Sequence, residues 1–348
     1  MTLSDRPEAP RAPGEGASPA IPGNHLHTDG RKLAEHLLGG DRIALARGIS
    51  LVENEAEGSE ELLDALYPRT GAAYRVGVTG PPGAGKSTLV GRLATAFWKS
   101  GKRVGVVAVD PSSPFTHGAL LGDRIRFQDL PTDPRLFVRS MASRGSPGGL
   151  AYRTGEACDL LDAFGKEIVF IETVGVGQSE LDIARAVHTT IVVLVPESGD
   201  EVQAMKAGLM EIGHIFVVNK ADREGAARIA RNLKEMLHLR LAGRDSWEMP
   251  VLAVSALRGD GLDDLVRAIE RHRSHLEAAG ALGRLKRERA EQRIREIVDE
   301  GMREKFWGRG EILPLLEEAL ARIEDGRSSP YREASLILER ARSNGEKG

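Results

Sequence analysis

Short runs dominated by apolar residues punctuate the chain at Tyr74 to Thr79, Val104 to Val109, Ile168 to Ile171, Ile191 to Val195, Ile215 to Val218 and Val251 to Val254. Each has the length of a strand. Their continuous rather than alternating character is that of strands covered on both faces, as in a parallel sheet. Segments with apolar residues at helical spacing lie between them, Leu89 to Trp98 being the first. From Tyr74 to about Ala278 the pattern therefore predicts an α/β fold, a parallel sheet wrapped by helices. Ahead of it, Arg31 to Leu38, Asp41 to Glu53 and Ser59 to Leu66 read as short helices, with Asp41 and Ser59 as N-caps. Met1 to about His27 is rich in Pro, Gly and Ala without periodicity, which predicts disorder. From Gly280 the chain turns helical and charged, with Ile294, Ile297, Val298 and Met302 on one stripe that has to cover something. The expected division is a tail over 1–27, a helical extension over 28–72, the α/β domain over 73–279 and a helical arm over 280–348. No internal repeat is visible.

The first apolar run ends in Gly80-Pro81-Pro82-Gly83-Ala84-Gly85-Lys86-Ser87-Thr88 and opens a helical segment. Strand, glycine-rich loop and helix in that order make a P-loop, and each residue type has a reason to be there. Glycines at 80, 83 and 85 let the backbone wrap so that N–H groups converge on phosphates at the positive end of a helix. Lys86 would reach the β- and γ-phosphates, Ser87 would put its hydroxyl on Mg²⁺, and Thr88 would lie near the α-phosphate.

A P-loop does not choose the base. Ile215 to Val218 ends in Asn219-Lys220-Ala221-Asp222, the N-K-x-D pattern, in which a carboxylate at Asp222 accepts from the guanine N1–H and exocyclic amine. Adenine offers no such donor pair. Lys220 would lie along the base and Asn219 would tie neighbouring loops together. The competing reading makes Asp222 an N-cap for a helix beginning at Arg223. Val251 to Val254 then runs into Ser255-Ala256-Leu257, an S-A-x loop that lends a backbone N–H to the guanine carbonyl. Between these motifs, Ile168 to Ile171 ends in Glu172-Thr173-Val174-Gly175, a Walker B strand with D-x-x-G written as E-x-x-G. Glu172 would hold the Mg²⁺ water shell and Gly175 would offer its N–H to the γ-phosphate; the alternative is a strand-end carboxylate facing solvent. Val176 stands where many small GTPases carry a water-orienting glutamine, so slow intrinsic hydrolysis is expected.

These motifs, with Val109-Asp110-Pro111-Ser112-Ser113-Pro114, Leu121-Gly122-Asp123-Arg124, Ser140-Met141-Ala142-Ser143-Arg144-Gly145 and Glu172 through Glu180, resemble the methylmalonyl-CoA mutase-associated GTPases. These form the MeaB/ArgK branch of the SIMIBI class of P-loop GTPases. The resemblance spans nearly everything from Asp29 onward and implies a P-loop NTPase fold. It also implies a GTPase chaperone that gates cofactor loading onto an adenosylcobalamin-dependent acyl-CoA mutase and protects or reactivates it. Bound GTP or GDP, Mg²⁺ and a homodimer follow from it, the helical stripe after Gly280 covering either its own domain or a second protomer. Carried over residue by residue, the Mg²⁺ site would comprise Ser87, Asp110, Asp123 and Glu172. Asp110 has support of its own, ending a strand expected beside the P-loop strand. Asp123 could as easily cap the helix containing Ile125 and Phe127. The family's third switch corresponds to Pro196 through Lys206, where Lys206 would swing toward the phosphates as a catalytic group beside Lys86 and Glu172; the residues by themselves read as a loop followed by a helix starting near Asp200.

Composition narrows the alternatives. The chain has 348 residues, 41% hydrophobic and 28% charged, which suffices for a large core without staples. A net charge of -3 leaves no basic footprint for nucleic acid. The single cysteine, Cys158, sits at helical spacing with Leu161 and is expected in the core, excluding an internal disulfide. No apolar stretch is long enough to cross a membrane and no signal core opens the chain, so no membrane partner and a cytoplasmic location are expected. A nickel or cobalt metallochaperone of the same class would cluster His or Cys ligands, whereas the nine histidines are dispersed along the sequence. A transport ATPase or kinase would have no use for the N-K-x-D and S-A-x loops.

Overall fold

The computed structural model describes residues 29–111, 127, 130–143, 149–173, 179–196, 208–241, 247–308, 310 and 312–345. Its centre is a seven-stranded sheet built from β1 (Tyr74–Thr79), β2 (Val104–Pro111), β3 (Leu136–Ser143), β4 (Ile168–Glu172), β5 (Thr189–Leu194), β6 (Ile215–Asn219) and β7 (Val251–Val254). The spatial order is β3-β2-β4-β1-β5-β6-β7 and every pairing is parallel. The continuous apolar character of β4 follows from its place, since all five of its residues are buried. Ile168 and Phe170 face one core layer, Val169 and Ile171 the other.

Helices cover both faces. On the first lie α4 (Lys86–Lys99) and α9 (Leu262–Ala278), whose Leu89, Leu93, Phe97, Leu265 and Ile269 pack on Val76, Val78 and Phe170. The second carries α5 (Gly149–Ala163) and α6 (Ser179–Ala186), and over them the three N-terminal helices α1 (Gly30–Leu38), α2 (Arg42–Glu53) and α3 (Ser59–Leu66). Cys158 and Leu161 are fully buried in this layer. Further along, α7 (Leu209–Ile212) and α8 (Ala226–Leu241) close the same face over β5 and β6. The Asp41 side chain caps α2, accepting from the Ile43 N–H at 2.7 Å. Ser59 is not the cap of α3. Gly58 takes that place with φ of 90°, a left-handed conformation that costs glycine little, and Ser59 is the first helical residue.

The sheet order corrects one expectation about Asp110. Its strand, β2, does not neighbour the P-loop strand, because β4 pairs with both and lies between them. The chain leaves β1 through α4, skips one strand position to lay down β2, and returns to fill the gap with β4. The crevice at the carboxyl ends of β1 and β4 is where an open α/β sheet binds ligands.

The C-terminal arm begins with α10 (Ala281–Trp307), which buries none of its residues fully. Leu282 at its start packs on the first core layer, and polar contacts hold the helix to the domain further along. Lys286 Nζ donates to the Thr70 carbonyl at 3.0 Å, Arg289 to the Ala186 carbonyl at 3.2 Å, and Arg293 pairs with Glu156 at 2.6 Å. Ile294, Ile297, Val298 and Met302 all stay exposed on this helix. A hairpin of α11 (Ile312–Glu324) and α12 (Pro330–Gly345) follows, packed around Ile312, Ala319, Ile337 and Ala341. A two-point Arg322–Glu333 ion pair crosses it and holds the Glu333 carboxyl down at about 2. Among the described residues no helix is long and apolar enough to cross a membrane.

Candidate nucleotide site

The loop from Gly80 to Lys86 lies at the carboxyl end of β1, and two of its glycines are forced by their neighbours. A β-carbon at Gly80 would stand 2.1 Å from the Val193 carbonyl oxygen, and one at Gly85 would stand 2.5 Å from the Asn219 amide nitrogen. Both carry positive φ as well, 141° and 83°. Lys86, only 5% exposed at the start of α4, turns back over the loop and donates from Nζ to the carbonyls of Gly80 at 2.7 Å and Pro81 at 2.9 Å. Those acceptors offset the cost of burying an ammonium group.

Beside it, Ser87 Oγ donates to Glu172 Oε1 at 2.5 Å. Glu172 is the last residue of β4 and is buried, in register with Val78 on one side and Ala108 on the other. A strand-end carboxylate facing solvent would have neither the burial nor the serine partner. Thr173, next along, donates to the Val78 carbonyl through its N–H and to Thr79 through its hydroxyl at 3.1 Å. A hydroxyl and a carboxylate in contact are hard oxygen donors, the type that suits a Mg²⁺ ion or its water shell. The backbone of Asp110 lies two positions beyond Ala108, one residue before the end of β2, while its side chain is not among the described ones. Asp123, Gly175, Lys206 and the stretch from Val174 to Gln178 also lie outside the described residues, as does the loop after Pro196 as far as Lys206.

The two motifs expected to read the base come together at the ends of β6 and β7, whose pairing aligns Asn219 with Val254. Asn219 is the joint of the whole site. Its amide donates to the Ala84 carbonyl of the P-loop at 2.7 Å, and its side-chain oxygen accepts from the Ala256 N–H at 3.0 Å. Lys220 adopts φ of 56°, one of only two described non-glycine residues with positive φ. Such strain persists where the surroundings impose it, here through the Ala221 N–H on the Val254 carbonyl and the Arg223 N–H on the Lys220 carbonyl. No spacing rule announces that conformation from sequence. Asp222 is not a helix cap, because α8 begins only at Ala226. Its Oδ1 instead accepts from the Ser255 hydroxyl at 2.7 Å, and Arg258 approaches Oδ2 at 3.8 Å. The Ser255 hydroxyl foremost, then its own backbone N–H and the charges of Arg258 and Arg223, hold the Asp222 carboxyl below the usual range, so it stays an ionised acceptor. Leu257 is 75% exposed, and Ala256 is buried.

Sequence spacing disperses the histidines, yet the fold gathers four of them at the opposite, amino-terminal edge of the sheet. His188 stacks on Tyr74, His214 and His275 flank His272, and Trp247 packs on His272 with centroids 4.7 Å apart. Burial pushes His272 down to about 3. Among the described residues no group of three or more His, Cys, Asp or Glu side chains is arranged to hold a metal ion.

Comparison with known proteins agrees with this geometry. A family model for the methylmalonyl Co-A mutase-associated GTPase MeaB matches residues 45–311. A putative GTPase of Pyrococcus abyssi is 48% identical over 88% of this chain and 95% of its own length. The GTPase ArgK of Escherichia coli is 36% identical over 84% of this chain and 90% of its own. The mitochondrial methylmalonic aciduria type A homolog of Mus musculus is 32% identical over 90% of this chain and 79% of its own. Among solved structures, one described as an LAO/AO transport system kinase superposes with a TM-score of 0.67 at 29% identity, over 89% of this chain and 96% of that one. The family model over most of the chain, with relatives of this identity named as GTPases, shows that the chain belongs to the methylmalonyl-CoA mutase-associated GTPase family, MeaB, and hydrolyses GTP.

Proposed function

We propose that this GTPase serves an adenosylcobalamin-dependent acyl-CoA mutase, gating the loading of cofactor and protecting or reactivating the mutase. The observation that carries the reading is family membership: the matching family is named for a methylmalonyl-CoA mutase, and a relative is named for methylmalonic aciduria. The alternative wording of the related structure, a transport system kinase, leaves the Asp222–Ser255 pair without a task, since adenine offers no donor pair to an ionised carboxylate.

In the proposed site, Lys86 exchanges its two loop carbonyls for β- and γ-phosphate oxygens, which are stronger acceptors because they are charged. Backbone N–H groups of the loop and the start of α4 hold the phosphates in place. Ser87 and Glu172, with Asp110 and Asp123, would hold Mg²⁺, which supplies charge neutralisation on the phosphates when bound. Replacing Glu172 with alanine is then expected to raise the Mg²⁺ concentration needed for hydrolysis about 10–100-fold while GDP still binds. A Mg²⁺ titration of steady-state hydrolysis checks it, and an unchanged midpoint would return Glu172 to a structural role.

The partner reading has its own test. The isolated chain is expected to turn over GTP below roughly once per minute, in the range of unassisted small GTPases. Adding a purified adenosylcobalamin-dependent acyl-CoA mutase is expected to accelerate it and to make cofactor loading depend on GTP. Lys206→Ala is expected to lose that stimulation. If no such mutase changes the rate, the chaperone reading fails while the GTP site stands. The exposed stripe of Ile294, Ile297, Val298 and Met302 on α10 fits a homodimer contact in the same proposal, with residues 73–279 as the nucleotide domain between the 28–72 extension and the 280–348 arm.

A further inference from the structure

Arg92 stands on α4, the helix opened by the P-loop, and reaches away from that helix to the loop after β7. Its Nε donates to the Ala256 carbonyl at 3.2 Å and its Nη2 to the Leu257 carbonyl at 3.0 Å. A planar guanidinium fork laid across two consecutive carbonyls fixes the orientation of both peptide planes, which a single-point donor cannot do. In a trans peptide the carbonyl and the following N–H point in opposite directions within one plane. Holding the Ala256 carbonyl toward α4 therefore turns the Leu257 N–H to the other side.

Around Ser255 the loop is held by its own backbone, the Gly259 N–H on the Ser255 carbonyl at 2.7 Å and the Ser255 N–H on the Asp260 carbonyl at 2.9 Å. Ala256 is buried in the first core layer, so the step that Arg92 secures is the exposed one after it. Leu257 is 75% exposed and brings no packing. The Ala256 N–H is drawn to Asn219 from one side, and Arg92 grips the carbonyls from the other. We infer that Arg92 is a positioning residue for base selectivity: it sets the Leu257 N–H that meets the 6-oxygen of guanine and couples it to the P-loop helix. The inference rests on the proposed guanine site.

The test measures the affinity of the full chain by titration for three diphosphates: GDP, IDP, which keeps the 6-oxygen but lacks the 2-amine, and 2-aminopurine riboside diphosphate, which keeps the 2-amine but lacks the 6-oxygen and with it the N1–H. Arg92→Ala is expected to weaken GDP and IDP each about tenfold, the cost of misplacing one hydrogen-bond donor, and to leave the 2-aminopurine nucleotide within about twofold of wild type. An equal loss on all three, or no loss on any, would overturn the role of Arg92. If the wild-type chain itself binds GDP and the 2-aminopurine nucleotide alike, the guanine site is what fails. Should Arg92→Ala unfold at the assay temperature, Arg92→Gln, which reaches at most one of the two carbonyls, is titrated with the same three nucleotides: selective weakening of GDP and IDP supports the role, and an equal loss or none overturns it.

Discussion

Asp222→Asn is expected to lower GTP affinity by on the order of 10⁴, because a site built around buried hydrogen bonds rejects a mismatched partner by that much. The Ser255 hydroxyl already donates to Oδ1. In the variant the amide oxygen would stay on Ser255, which turns the amide N–H toward the base. Two donors then face each other at the guanine amine. Xanthine carries an acceptor there, so the variant is expected to gain XTP affinity as it loses GTP. Titration of wild type and variant with GTP, XTP and ATP reads this directly. Retention of GTP affinity within tenfold of wild type, or wild-type binding of ATP as tight as that of GTP, would remove Asp222 from base recognition.

Lys86→Ala is expected to cost about 10²–10³ in kcat, the usual loss when one preorganised donor to a reacting oxyanion is removed. It should also weaken the nucleotide itself, since the ammonium meets the β- and γ-phosphates in ground and transition states alike. The structure adds a consequence for the chain without nucleotide. Removing the buried ammonium strips the Gly80 and Pro81 carbonyls of their donor, costing about 1–3 kcal/mol of local stability for each acceptor left dry. Thermal melts separate that from the chemistry: without nucleotide the variant should melt below wild type, and one fixed GDP concentration should raise the melting temperature of wild type far more than that of the variant. Hydrolysis at the wild-type rate by Lys86→Ala would show that the lysine only braces its loop.

The C-terminal arm is fastened to the domain by different means from those that hold the core. Arg289 of α10 holds the carbonyl of Ala186, the last residue of α6, a helix that begins four residues after Gly175 of the E-x-x-G segment. Arg293 and Lys286 fasten the same helix to α5 and to the residues preceding β1. Leu282 at its start packs on the first core layer, and beyond it these contacts of Lys286, Arg289 and Arg293 with the domain are charged and directional, while Ile294, Ile297, Val298 and Met302 stay exposed.

Much of the α/β domain was legible because most of its strands are buried on both faces. Such strands are mostly apolar, and β1, β2, β4, β5 and β6 each show a run of consecutive apolar residues without reference to anything distant, with Arg75, Thr79, Thr189 and Thr190 among the buried polar exceptions. The loops that carry chemistry were legible for a related reason. They follow directly on strand ends, so Gly80 to Thr88, Glu172, Asn219 to Asp222 and Ser255 to Leu257 all fall at the carboxyl edge once the sheet is parallel. The edge strand β3 escaped notice. Leu136–Ser143 mixes Arg139 and Ser140 with apolar residues, and its pairing with β2 on one side only leaves no continuous signal.

Local order thus decided which segments are strands and helices and where the nucleotide-binding motifs fall among them, because periodicity and turn chemistry act between near neighbours. Only the tertiary structure decided that β4 separates β1 from β2, that Asn219 binds Ala84 and Ala256, and that Ser255 orients Asp222. It also brought Arg92 to the carbonyls of Ala256 and Leu257 and gathered four histidines at the far edge of the sheet. Those contacts join segments far apart in the chain, and their geometry depends on strand order and helix packing, which follow from the summed burial of the whole core rather than from any one stretch of sequence.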